Sequence, residues 1–213
     1  MSSSSRVLPI IMLMVIRISA ATEASPPEPS PGDANVSDAF QLNAHICRAR
    51  AAQDPAERQV SLRIIGVINL GVLASPVFKA PPSPNCSDAG SLLPFIDNVR
   101  ITLWSDLPDA TLDGNTAGQL FVVIHSGKLL MQGLHITGGS SALDSLRTGG
   151  SCGRTAHLGA RLILRSMRFS NCHTTFSGGG IVVESGVVDV SDSVFADMET
   201  SVTAGEARGG DWQ

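Results

Sequence analysis

The sequence predicts an all-β chain wound as a parallel solenoid, and three observations predict it. An eight-residue pattern occurs three times, at residues 129–136 (LLMQGLHI), 162–169 (LILRSMRF) and 188–195 (VDVSDSVF). The inward candidates are the first, third, sixth and eighth residues of each copy. They are Leu129, Met131, Leu134 and Ile136, then Leu162, Leu164, Met167 and Phe169, then Val188, Val190, Ser193 and Phe195. Steps of two, three and two are strand alternation broken by one bend, whereas a helix would scatter these positions over several faces. Second, residues 122–127 (VVIHSG) precede the first copy with the spacing at which 181–186 (IVVESG) precede the third. Third, the copies start 33 and 26 residues apart, and the Gly-rich stretch 138–154 holds the difference, because solenoids accept insertions at turns. Each copy therefore reads as two short strands meeting at a corner, one part of a coil that must stack on its neighbours to bury its apolar edge.

Composition sets the limits. A chain of 213 residues with 43% hydrophobic side chains holds one domain with a sizeable core. Only 16% are charged and the net charge is -4, which argues against a broad basic surface for nucleic acid. Aromatics are 4% with no tyrosine, leaving few flat faces on which sugars or bases stack. The 21 glycines suit a chain made of many tight turns.

In chain order, residues 1–21 read as a signal peptide: Arg6 gives a positive start, residues 7–16 are an apolar run, and Ser19-Ala20-Ala21 offers a small-residue cleavage site. The apolar run is too short for a bilayer span, so no transmembrane segment is expected after cleavage. Residues 22–36 are a Pro- and Ser-rich linker. Residues 37–58 form the N-terminal cap region, with Ser37 and Asp38 as helix caps and a stripe of Phe40, Leu42, Ala44, Ile46 and Cys47. A helix there covers the unpaired strand groups of the first coil.

Residues 59–213 are assigned to the coils. Val60, Leu62 and Ile64 open a β-branched run through Leu70 that suits a strand buried against the cap, and residues 64–78 read as a buried strand pair rather than a membrane span. Residues 79–91 form a Pro- and Ser-rich loop, residues 99–104 alternate as a strand, and residues 110–114 read as a strand entering a turn.

Residues 110–139, Gly178-Gly179-Gly180-Ile181 and Phe169-Ser170-Asn171-Cys172 resemble the coils of right-handed parallel β-helix proteins of the pectin-lyase-like superfamily. In repeat style they are most similar to polymorphic outer membrane proteins and related secreted surface proteins. The resemblance covers about half the chain. It implies a right-handed β-helix and raises polysaccharide cleavage, in which calcium-bound carboxylates work with an Arg or Lys base, or paired aspartates act in hydrolysis. None of Asn-Thr-Asp, Asp-Asp, Gly-His-Gly, Arg-Ile-Lys, Asp-His or Arg-x-Pro-x-x-Arg occurs in the chain, so no catalytic residue is assigned.

Glu184, Asp189 and Asp192, with Asp197, are the remaining calcium candidates. Their bland alternative is a charged face beside Arg161, Arg165 and Arg168 of the preceding coil. Cys47, Cys86, Cys152 and Cys172 form an even set, and proximity suggests Cys47 with Cys86 and Cys152 with Cys172. Zinc held by Cys152, His157, Cys172 and His173 matches no compact ligand spacing, and no cofactor is assigned. Asn35 and Asn85 head N-x-Ser glycosylation sequons. The scattered histidines read as surface or turn residues.

Arg208-Gly209-Gly210 repeats an earlier glycine signal close to the last residue. A truncated solenoid that associates through its open end is the expectation. The expected function is a secreted or cell-surface β-helix protein, non-catalytic, presenting loops to extracellular polysaccharide or surface proteins for adhesion or wall and matrix association. The alternative is a fragment of a pectate- or alginate-type lyase.

Overall fold

The computed structural model describes residues 34–74, 86, 91–140, 151–175 and 179–200. The signal segment, Asn85 and the chain after Thr200 lie outside the described residues. The last three linker residues form a strand, β1 (Ala34–Val36), and α1 (Ala39–Ala51) follows. Asp38 caps that helix, its carboxylate accepting from the backbone N–H of Phe40 and of Gln41 at 2.9 Å each, which satisfies two donors the first turn leaves free. The buried face is Ala39, Leu42, Ile46, Cys47 and Ala49, at helical steps of three and four. Phe40 and Ala44, expected inward, are exposed, since neither lies on that face.

Five repeats follow. The first holds β2 (Gln59–Ile64), β3 (Val67–Asn69) and a 3-10 turn over Leu70–Ala74. The second holds β4 (Ile96–Asp97), β5 (Arg100–Trp104) and β6 (Thr111–Asp113). The third holds β7 (Phe121–Ile124), β8 (Lys128–Gln132) and β9 (His135–Thr137). The fourth holds β10 (Gly153–Thr155), β11 (Arg161–Arg165), β12 (Arg168–Ser170) and β13 (Cys172–Thr174). The fifth holds β14 (Ile181–Val183), β15 (Val187–Ser191), β16 (Val194–Phe195) and β17 (Met198–Thr200).

All pairing among these strands is parallel. Three long sheets run β1-β2-β5-β8-β11-β15, β4-β7-β10-β14 and β3-β6-β9-β12-β16, and β13 pairs with β17. Each long sheet takes its strands from successive repeats, so the stacked sheets fit an all-β solenoid. The three octets lie in register: Leu129, Leu162 and Val188 align, as do Met131, Leu164 and Val190, then Ile136, Phe169 and Phe195. The inward residues of the first two copies are all buried, each contributing about 1.5–3 kcal/mol of apolar burial.

The bends repeat as faithfully as the strands. Gly133, Ser166 and Asp192 turn the chain inside the octets with φ of 66°, 49° and 49°. Gly138, Asn171 and Asp197 turn it after them (67°, 52° and 52°). Asn98, His125 and His157 turn it before the next strand of the six-stranded sheet (54°, 49° and 85°). One left-handed residue reverses the pleat and redirects the strand. At Gly133 a side chain would also meet the Ser105 carbonyl oxygen.

Two expectations are corrected by the register. The run from Val60 to Leu70 is not one strand: β2 and β3 join different sheets, with Gly66 (φ 69°) between them. Gly153 aligns Ile181 with Phe121 rather than Val122, and the fifth repeat reaches its next strand at Val187 one residue sooner than the third does at Lys128.

At one end, α1 packs on β2, β4 and the 3-10 turn, and β1 pairs with β2. At the other, Val187, Val194 and Phe195 are exposed. Cys47 is bonded to Cys86 and Cys152 to Cys172, with Cα separations of 5.5 and 5.6 Å. The second bond lies in the core and joins the residue before β10 to the first residue of β13.

Candidate anion-binding face

Alternation that sends Leu129 and Met131 inward sends their neighbours outward, so the six-stranded sheet carries three outward rows. The first is Gln59, Arg100, Lys128, Arg161 and Val187. The second is Ser61, Thr102, Leu130, Ile163 and Asp189, and the third is Arg63, Trp104, Gln132, Arg165 and Ser191. Adjacent strands are about 4.8 Å apart, which places the cations of Arg100, Lys128 and Arg161 on successive strands at one position. Like charges directly opposed are destabilising. All three residues are exposed. Arg161 Nη2 donates to Asp189 Oδ2 at 2.8 Å, whereas no ion pair joins Arg100 or Lys128 among the described residues.

Two hollows border this row. One, about 390 Å³, lies over β2, β5, β8 and β11 and is lined by Arg100, Lys128 and Arg161 with Gln59, Thr102, Leu130 and Ile163. The other, about 260 Å³, shares Gln59, Arg100 and Lys128 and adds Arg58, Asn98 and Ser126. Among the described residues no carboxylate lines either hollow. In the third row the Arg63 guanidinium lies 5.7 Å from the Trp104 ring centroid. Asp106 holds it there, accepting from Nε at 2.8 Å and Nη2 at 2.5 Å. That hydrogen bond keeps the exposed Asp106 carboxyl below its usual range. Gln132 Oε1 on the same face is buried without a hydrogen-bond partner, at a cost of about 1–3 kcal/mol. Cations beside an indole plane suit a ligand with anionic groups on a sugar-like ring.

The calcium candidates are not brought together. Glu184 pairs with Arg154 at 2.6 Å and Asp189 with Arg161, while Asp192 and Asp197 sit at two different left-handed corners. Among the described residues no three His, Cys, Asp or Glu side chains converge as a metal site. The zinc alternative fails on its cysteines, since Cys152 and Cys172 are bonded to each other. Asn35 is exposed on β1, not in a linker.

Four of the five histidines have side-chain partners among the described residues. His125 Nδ1 is 2.8 Å from Asp97 Oδ1, and its ring lies 4.3 Å from that of His157 in the next repeat. His173 Nδ1 is 3.5 Å from Glu199. His135 is a strand residue, with Nε2 2.7 Å from Ser170 Oγ. Its pKa is lowered by burial and by Arg168, against an opposing pull from Asp113. Ser170 is only 5% exposed, so its hydroxyl serves the strand-to-strand network with Thr137 and Asn171. His45 on α1 is likewise lowered by burial and by Arg48.

Sequence reasoning missed the cation row. Its members become neighbours only when the strand register is known. No family model, curated protein or solved structure matches the chain. Among the described residues no helix is long and apolar enough to cross a membrane.

Proposed function

We propose that this chain is a non-catalytic, secreted or cell-surface protein that associates with extracellular matrix by binding acidic polysaccharide. In this reading the stacked sheets form a right-handed parallel β-helix of the pectin-lyase-like kind. The ligand lies across the strands of the six-stranded sheet rather than on the loops. The observation that carries the reading is the register of Arg100, Lys128 and Arg161 along one hollow. Three cations at the strand repeat form a ladder that a chain of regularly spaced carboxylates or sulfates complements. Trp104 on the same face offers a ring to a sugar. Two disulfides accord with an oxidising compartment.

The test is binding of the purified chain to polygalacturonate and to neutral dextran as salt is raised. The reading expects binding to the uronate polymer alone, weakening steadily with salt as charge contacts are screened. Equal binding to both, or to neither, contradicts it. The lyase alternative is followed in the same samples with calcium added: unsaturated uronate, lost on substituting Asp189 or Asp192, would replace the non-catalytic reading.

A further inference from the structure

We infer that Asp189 is an internal stand-in for the ligand: its carboxylate holds Arg161 in the free protein, is displaced when a polyanion binds, and so sets the affinity at that end of the track. This rests on the polyanion reading above and names the residue that tunes it.

The cation row is bounded. One strand before Arg100 the same position is Gln59, and one strand after Arg161 it is Val187. The cations between those limits are not equivalent. No ion pair joins Arg100 or Lys128 among the described residues, whereas Arg161 Nη2 donates to Asp189 Oδ2 at 2.8 Å. Asp189 does not stand opposite Arg161; it lies two residues further along β15, opposite Ile163. Long side chains reach such diagonal neighbours. Lys128 flanks Arg161 on one strand with a like charge and Val187 flanks it on the other with none, so the guanidinium is drawn to the diagonal carboxylate.

The same guanidinium lines the 390 Å³ hollow together with Arg100 and Lys128. Its bond to Asp189 is the charge-assisted contact that a ligand carboxylate or sulfate makes with arginine. The pair is open to water, with 50% of the Arg161 side chain and 43% of the Asp189 side chain accessible. An ion pair that wet contributes little to stability, so an anion already anchored on Arg100 and Lys128 replaces it easily. Arg63 on the same face differs. Asp106 accepts from both its Nε and its Nη2, and the Trp104 ring lies beside it, whereas Arg161 meets its aspartate through Nη2.

The experiment is calorimetric titration of the full chain with a galacturonate oligomer at fixed low salt. Asp189→Asn keeps the side chain's size and removes its charge, and circular dichroism checks the fold. Glu184→Gln is the control: it removes the same charge from a pair whose arginine, Arg154, lines neither hollow. Asp189→Asn is expected to bind about threefold more tightly than wild type, the effect of freeing one exposed ion pair, and Glu184→Gln to bind as wild type does. In an Arg161→Gln background the Asp189 substitution is expected to add nothing, because its effect passes through Arg161. Wild-type affinity in Asp189→Asn, an equal gain in Glu184→Gln, or a gain that survives Arg161→Gln overturns this inference and leaves the polyanion reading intact. Absence of binding by all of these proteins overturns both.

Discussion

The rings of Phe169 and Phe195 stack face to face, 4.7 Å between centroids and 3° from parallel. They occupy one inward position on neighbouring strands, β12 and β16, above Ile136 of β9. The pair is where the stacking of successive repeats is most visible in a single contact, since Phe169 is fully buried while Phe195 is 43% exposed.

Phe169→Ala removes a ring enclosed between two repeats and is expected to cost about 3–5 kcal/mol. Phe195→Ala loses only a one-sided contact and is expected to cost about 1–2 kcal/mol. Urea unfolding of the two variants measures the difference. Equal losses would mean that Phe195 is covered as completely as Phe169.

Replacing Cys152 and Cys172 with alanine opens a link between residues 20 apart in sequence, and the loss expected from the freed unfolded chain is about 3 kcal/mol. The same comparison by chemical denaturation, with wild type under non-reducing conditions, checks it. A double variant as stable as wild type contradicts a bonded pair in the core.

His135 gives the chain an acid-sensitive term. Burial, reinforced by Arg168, lowers its folded-state pKa below the ordinary histidine value, so the unfolded chain takes up the proton more readily than the folded one. Stability therefore falls as pH drops from about 6.5 toward the folded-state pKa and gains no further loss from this group beyond it. Urea midpoints measured between pH 7.5 and 5 are expected to fall less in His135→Gln than in wild type. Parallel pH profiles contradict the assignment.

Gly153 sits with the Phe121 ring where a Cβ would lie. Gly153→Ala forces that buried ring aside and is expected to destabilise by about 1–3 kcal/mol, whereas Gly118→Ala, which meets only the flexible end of Leu92, is expected to change stability by less. Thermal unfolding distinguishes them.

How much of this was legible in the sequence follows from which faces the strands present. Inward residues announce themselves, because alternation of Leu129, Met131, Leu164 and Phe169 survives in one dimension and the core tolerates few exceptions. Asp38 as a cap and the cysteine pairs are equally local signals. Outward rows carry no such constraint. Lys128 and Arg161 look unrelated until Leu129 is known to lie beside Leu162, and Arg154 with Glu184 likewise meets only across repeats. Phe40 points outward although it is apolar, because the small residues Ala39 and Ala49 complete the buried face of α1. The one-residue shift at Ile181 arose where a corner shortened, a change that leaves both flanking patterns intact.

The binding face is tested most directly at Lys128, whose neighbours on both strands are cations. For Lys128→Gln, affinity for a galacturonate oligomer and unfolding free energy are measured on the same preparation. If the row exists to hold a polyanion, the variant binds several-fold more weakly yet is as stable as wild type or more stable by about 0.2–1 kcal/mol, having lost two like-charge contacts. Unchanged affinity together with lower stability would contradict the account, for it would make Lys128 a support of the sheet and not of a ligand.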